Sequence, residues 1–174
     1  DLAKGERIYS VRYVGNRAYM VTFRQVDPLF VIDLSDAENP AVLGYLKVTG
    51  FSDYLHPYDE KHIIGVGKEA DEQGRVKGVK ISLFDVSDVF NPREIGKYEI
   101  TEGKWSQSEA LYDHKAFLFD KENDMLVIPV SYSDYQQYWQ GAYVLNINPQ
   151  EISLKGKITH ETNESREYGY SGSY

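Results

Sequence analysis

The chain has 174 residues, 41% of them hydrophobic and 14% aromatic, with a net charge of −8 at pH 7 and no cysteine. There is enough apolar material for one ordinary core. The acidic balance excludes a nucleic-acid groove, which needs a basic face, and it opposes electrostatic docking on anionic lipid. Disulfides and thiolate metal sites are excluded, and no apolar run approaches the roughly 20 residues of a membrane span.

In chain order, residues 8–14 and 18–23 are Tyr- and Val-rich runs around Gly15-Asn16-Arg17, a hairpin signal. Residues 25–28 make the next turn. Residues 30–34 and 41–48 follow as the third and fourth strands. A second group opens at 51–58, turns at 59–61 and continues at 62–66. Residues 68–78, polar and charged, read as a long exposed hairpin tip before strands at 79–86 and 93–100. A third group has strands at 110–119, 125–130, 142–147 and 152–158, with a polar loop over 131–140. No helix is expected.

The organising feature is a phrase that returns. Phe30-Val31-Ile32-Asp33-Leu34-Ser35-Asp36 leads through Asn39-Pro40 to Gly44, and Ser82-Leu83-Phe84-Asp85-Val86-Ser87-Asp88 leads through Asn91-Pro92 to Gly96, 52 positions on. A weaker third copy, Val144-Leu145-Asn146-Ile147-Asn148, closes at Leu154-Lys155-Gly156. Its asparagines replace the aspartates, so its turn is expected to depart from the other two. The apolar, β-branched run suits a buried strand. Ser and Asp bond their own backbone and end it, and Pro belongs in the turn or at the start of the next strand. Gly within the fourth strand marks a bulge or a close backbone approach. A period near 50 with four strands per unit is the signature of propeller blades. The expected fold is therefore all-β, a partial β-propeller of about three four-stranded antiparallel blades, at about 1–48, 49–100 and 101–158. Residues 159–174 read as a linker or the start of a further blade. Three blades do not close a ring, so the chain reads as a piece of a longer protein whose remaining blades, or self-association, complete it.

Two sets of residues are candidates for chemistry. Arg12, Asp53, His56, Glu109, Asp113 and His114 fall at blade openings, where first strands line a channel. Carboxylates with imidazole there suit a polar ligand or a divalent metal, or simply satisfy one another. Tyr132, Tyr135, Tyr138 and Trp139, with Tyr168, Tyr170 and Tyr174 later, offer aromatic rings beside polar groups, the chemistry of glycan or protein surfaces. Asp120-Lys121-Glu122-Asn123-Asp124 lacks the glycine and the closing glutamate of a calcium loop and reads as a hairpin turn. No nucleophile elbow, cysteine nucleophile or phosphate-cradling glycine loop is present. An interaction module without a cofactor therefore ranks above the alternative, a metal-assisted enzyme or enzyme subunit with a site in the channel.

Residues 5–12, 21–30, 53–58 and 113–117 (Gly5-Glu6-Arg7-Ile8-Tyr9, Val21-Thr22-Phe23-Arg24-Gln25, Asp53-Tyr54-Leu55-His56-Pro57-Tyr58 and Asp113-His114-Lys115-Ala116-Phe117) carry a resemblance. In these motifs the chain is similar to secreted bacterial and archaeal proteins with a C-terminal β-propeller domain distantly related to WD40 repeats. The resemblance implies a secreted or cell-surface location and a longer propeller; protein or glycan partners are what the aromatic loop residues suggest. It supplies no catalytic residues.

Overall fold

The computed structural model describes residues 4–23, 27–71, 73–135 and 138–160. Three antiparallel sheets stand side by side. Blade one orders β1 (Arg7–Val14), β2 (Arg17–Phe23), β3 (Asp27–Asp33) and β4 (Ala41–Val48). Blade two orders β5 (Phe51–Pro57), β6 (His62–Ala70), β7 (Val76–Asp85) and β8 (Arg93–Glu99). Blade three has β9 (Trp105–Gln107), β10 (Leu118–Asp120), β11 (Met125–Ser133), β12 (Tyr138–Asn148) and β13 (Glu151–Ile158), with β9 and β10 both paired to β11. First strands pack along one another (β1 against β5), whereas fourth strands meet at few points (β4 against β8), so the blades fan about an axis on the β1–β5 side.

The repeated phrase takes one backbone path. Asp33 accepts from the Ser35 amide at 2.9 Å and its hydroxyl at 2.6 Å, and Asp85 does the same for Ser87 at 2.9 and 2.6 Å. Asp36 binds the Asn39 side-chain amide at 2.9 Å, as Asp88 binds that of Asn91 at 2.8 Å. These side chains satisfy turn amides that leave the ladder. The register then slips at a glycine in every blade. Val31 pairs Gly44, Leu83 pairs Gly96 and Val144 pairs Gly156, leaving Leu43, Ile95 and Lys155 as single-residue bulges. Counted from the bulge, Asn146 stands where Asp33 and Asp85 stand. The third turn does differ: two further pairs, Ile147–Ile152 and Asn148–Glu151, carry the hairpin on, and Asn148 caps the Gln150 amide at 3.0 Å.

Alternation decides which face each residue serves. Tyr19, Val21, Leu29 and Val31 of blade one meet Leu55, Ile63, Phe84 and Val86 of blade two. Ile64, Val66, Ile81 and Leu83 on the other face of blade two meet Leu126, Ile128, Val130, Tyr143, Leu145 and Ile147 of blade three. Ala18, Phe30 and Ile32 form a third cluster on the outward face of blade one, with Val11 and Met20 against them.

Several segments differ from the sequence expectation. The strand expected over 110–119 is two 3-10 turns (Glu109–Leu111 and His114–Ala116) followed by β10. Ser108 accepts from the Ala110 amide at 3.2 Å and Asp113 from the Lys115 amide at 2.9 Å, drawing the backbone out of the ladder. Residues 68–78 are not a long exposed tip, because β6 runs to Ala70 and β7 begins at Val76. The charges at the base of the segment find partners inside: Lys68 Nζ donates to the Ser106 carbonyl at 2.7 Å, and Glu69 lies 3.6 Å from Lys80 of β7, itself buried and donating to the Thr49 carbonyl. The loop expected over 131–140 shrinks likewise, with β11 reaching Ser133 and β12 starting at Tyr138. At the turn expected over 25–28, β3 already begins at Asp27, and Gln25 and Val26 lie outside the described residues, as do Tyr168, Tyr170, Tyr174 and residues 161–174.

Candidate functional site

The inner strands share a break in register. In β1 it falls at Tyr9, between Ile8 and Ser10. In β5 it falls at Asp53, between Ser52 and Tyr54. In blade three the same place holds the excursion with the two 3-10 turns. Phe51 to Pro57 takes six steps between ladder positions in blade two, and Gln107 to Phe119 takes twelve between the corresponding positions, so blade three carries six more residues there. The excursion brings Tyr112 and His114 over the seam of β1 and β5. Arg12, Asp53, Tyr54, Leu111, Tyr112 and His114 line a cleft of about 390 Å³ there.

Within it Arg12 is fixed by two hydrogen bonds, Nε to the Leu55 carbonyl at 2.8 Å and Nη2 to the Tyr54 hydroxyl at 3.0 Å, and its guanidinium lies 5.4 Å from the Tyr54 ring centroid. The Tyr54 hydroxyl also lies 3.1 Å from His56 Nδ1. His56 packs against Phe117 at 4.8 Å and Phe119 at 5.6 Å between centroids. Burial, and then the charge of Arg12, hold its imidazole below the ordinary histidine range. Burial pushes the Asp53 carboxyl up to about 6, against the opposing pull of Lys68.

The six inner candidates thus divide. Arg12, Asp53 and His114 share the cleft, and His56 joins it through Tyr54. Glu109 lines a separate small cleft with Gln107, Tyr112 and Gln140. Asp113 is committed to its 3-10 turn. Among the described residues, no group of three or more His, Cys, Asp or Glu side chains is arranged to hold a metal ion. In the 120–124 turn, Asp120 spends its oxygens on the Asn123 amide and side chain at 3.2 and 2.7 Å.

The aromatic candidates divide as well. Tyr132 and Trp139 stack at 5.2 Å and 16° on the face toward blade two, with Trp139 edge-on to Tyr143 at 5.5 Å. Lys157 lies over all three rings, 4.8 Å from Tyr143, and its ammonium is 2.6 Å from Glu102. Tyr135 and Tyr138 are 78% and 55% exposed. They have a companion that the sequence reading missed, Trp105, which is 54% exposed and edge-on to Tyr135 at 5.8 Å. Lys104 Nζ donates to the Tyr135 hydroxyl at 2.8 Å. Trp105 and Tyr138 both pair with Ser133, so the three side chains share a rung and a face. The next rung on that face is Gln107–Ser131–Gln140. Trp105 lies in a short stretch that carried no strand pattern, and only the ladder shows what it joins.

Stacked, register-matched four-stranded sheets fanning from their first strands define a β-propeller architecture. The chain matches the beta propeller domain family over residues 1–174, and it belongs to that family. It is 42% identical over 165 residues to an uncharacterized protein of Methanocaldococcus jannaschii, covering 95% of this chain and 24% of that relative. It is 47% identical over 130 residues to an uncharacterized protein of Archaeoglobus fulgidus, covering 75% of this chain and 20% of the relative. The chain therefore spans about a quarter or less of the length of these curated relatives.

Proposed function

We propose that this propeller is an interaction module of a secreted or cell-surface protein, binding a glycan or a protein through the rim of blade three. The surface location and a distant kinship to WD40 repeats rest on the sequence resemblance. The observation that carries the binding site is the exposed set Trp105, Tyr135 and Tyr138. Trp105 and Tyr138 flank Ser133, whose counterpart in blade two is Ala70, and beyond the register slip after Lys68 the ladder partner of Ala70 is Val76. Val76 stays 50% exposed although blade two is covered on both faces. A rim of this kind remains open when a further blade packs beside it. Exposed rings next to amides and hydroxyls supply stacking and hydrogen bonds together. The test is a glycan array and a surface-protein pull-down with the Trp105→Ala/Tyr135→Ala double variant. Binding lost by about tenfold or more supports the rim, since two aromatic anchors are removed; binding unchanged refutes it.

The same reading includes further blades. Ile32 in blade one corresponds to Phe84 in blade two, and Ala18 to Ile63, by their places beside the bulge. In blade two those positions are buried against the preceding blade, so the Ala18–Phe30–Ile32 face is shaped to receive a sheet of the same kind. The length of the relatives leaves ample chain for it. Radical footprinting tests this: Met20 is expected to label in the 174-residue chain and its counterpart to be protected in the full-length Methanocaldococcus relative. Equal labelling of both removes the reading.

A further inference from the structure

We infer that the cleft at the seam of blades one, two and three binds a small hydroxylated carboxylate such as a hexuronic acid, whose carboxylate Arg12 receives while a hydroxyl donates to Asp53. This site is independent of the rim.

The argument starts from the accounting at Arg12. A guanidinium has five N–H donors and no acceptor. Two are spent, on the Leu55 carbonyl and the Tyr54 hydroxyl, which leaves three. Among the described residues no carboxylate forms an ion pair with it. The interior lysines are differently placed: Lys80 lies beside Glu69 and Lys157 against Glu102. A half-buried cation without a counter-charge has given up water for little return. An incoming carboxylate restores that balance, and the planar fork of arginine matches its two oxygens. The two existing bonds and the Tyr54 ring hold the fork still, so little side-chain entropy is lost on binding.

The other end of the cleft presents Asp53. It sits on the bulge of β5, where its side chain leaves the alternation of the strand, and among the described residues it accepts no hydrogen bond. It forms an ion pair with neither Arg12 nor His114, and Lys68 acts on its charge only from a distance, so the cleft holds a donor and an acceptor apart. A ligand with a carboxylate and a nearby hydroxyl bridges the two. Leu111 and the 79% exposed Tyr112, brought there by the six additional residues of blade three, offer an apolar and aromatic wall to the ring of a sugar acid. An α-amino acid shares the carboxylate and replaces the hydroxyl with an ammonium, so it is the second arm of the test.

Titration of the 174-residue chain with glucuronate, glucose and alanine, followed by calorimetry or NMR shifts, decides the matter. Glucuronate is expected to bind with a Kd on the order of 1 mM or tighter, and glucose at least about tenfold more weakly. Arg12→Lys keeps the charge but loses the fork, and is expected to weaken glucuronate by about tenfold. Arg12→Gln should abolish binding, and Asp53→Asn should weaken glucuronate by a few-fold. Trp105→Ala should leave glucuronate binding unchanged, which separates this cleft from the rim. Glucose binding as well as glucuronate, alanine binding better than glucuronate, or Arg12→Lys binding like the parent chain would each overturn the proposal.

Discussion

Gly44 lies directly under the β7–β8 turn of the next blade: a Cβ built on it would stand 2.4 Å from the Val89 carbonyl oxygen and 2.6 Å from that of Phe90. The contact joins two copies of the repeat, because the turn that Asp88 and Asn91 close is the one that rests on the bulge glycine of blade one. Gly156, the matching glycine of blade three, would meet nothing within 4 Å. Gly44→Ala is therefore expected to cost about 2–3 kcal/mol, since backbone on both sides must move. Gly156→Ala should stay within about 0.5 kcal/mol. Urea unfolding of the two variants measures the difference, and equal costs would show that blade contact is not what holds position 44 to glycine.

The raised Asp53 carboxyl makes stability depend on pH. From the ordinary aspartate value of 3.8 it rises to about 6 in the folded chain, chiefly through burial and against the pull of Lys68. Between those values the native state holds more protons than the unfolded one, so its contribution to stability falls as pH rises from about 4 to about 6. Asp53→Asn mimics the protonated form. It is expected to stabilise the chain by on the order of 1–2 kcal/mol at pH 8, discounted for partial solvation, and to have no effect at pH 3.5. Thermal unfolding of both proteins at the two pH values checks the sign.

Asp85 acts in the opposite direction. The Ser87 side chain and amide, helped by Arg93 at 2.8 Å, hold its carboxyl down to about 2. The stability it lends is present above the ordinary carboxylate range and is lost as pH falls through about 2. Asp85→Ala is expected to cost about 1–2 kcal/mol at pH 7, because the Ser87 amide loses its acceptor. Asp33→Ala should cost less, since among the described residues Asp33 has no ion pair matching that of Asp85 with Arg93. Chemical denaturation of the two alanine variants gives the comparison.

Lys157 clamps the outer strand of blade three onto its neighbours through Glu102 and three rings. Lys157→Met keeps the aliphatic stem and removes the charge, and is expected to cost about 1–2 kcal/mol. Trp139 stands 5.7 Å from that ammonium, so its fluorescence should change in intensity in this variant, and a Trp105→Phe background isolates the signal. Unchanged emission together with unchanged stability would show the cation to be a bystander.

The fold was legible because Asp33, Asn39-Pro40 and Gly44 each do a local job, ending a strand, closing a turn and opening a bulge, and the same jobs recur at 85, 91–92 and 96. Local jobs leave local signatures. What the sequence hid was non-local. The charges of Lys68 and Glu69 look like part of a solvent-facing tip until Ser106, from another blade, supplies a carbonyl to the one and buried Lys80 stands beside the other. The run 110–119 has the composition of a strand, and only Ser108 and Asp113, ordinary polar residues, turn it aside. Of the candidate residues, Arg12 and Asp53 converge because their strands are neighbours at the axis. Trp139 looked like its exposed neighbours Tyr135 and Tyr138, but one step of alternation turned it to the opposite face.

The glycine bulge that recurs at 44, 96 and 156 also bears on how damage spreads. Each sheet rests only on the sheets next to it, so the array can loosen one unit at a time instead of failing all at once. A substitution that unravels the amino-terminal sheet would leave the Tyr143 layer standing, and proteolysis would then release a trimmed but folded remnant beginning between β4 and β5.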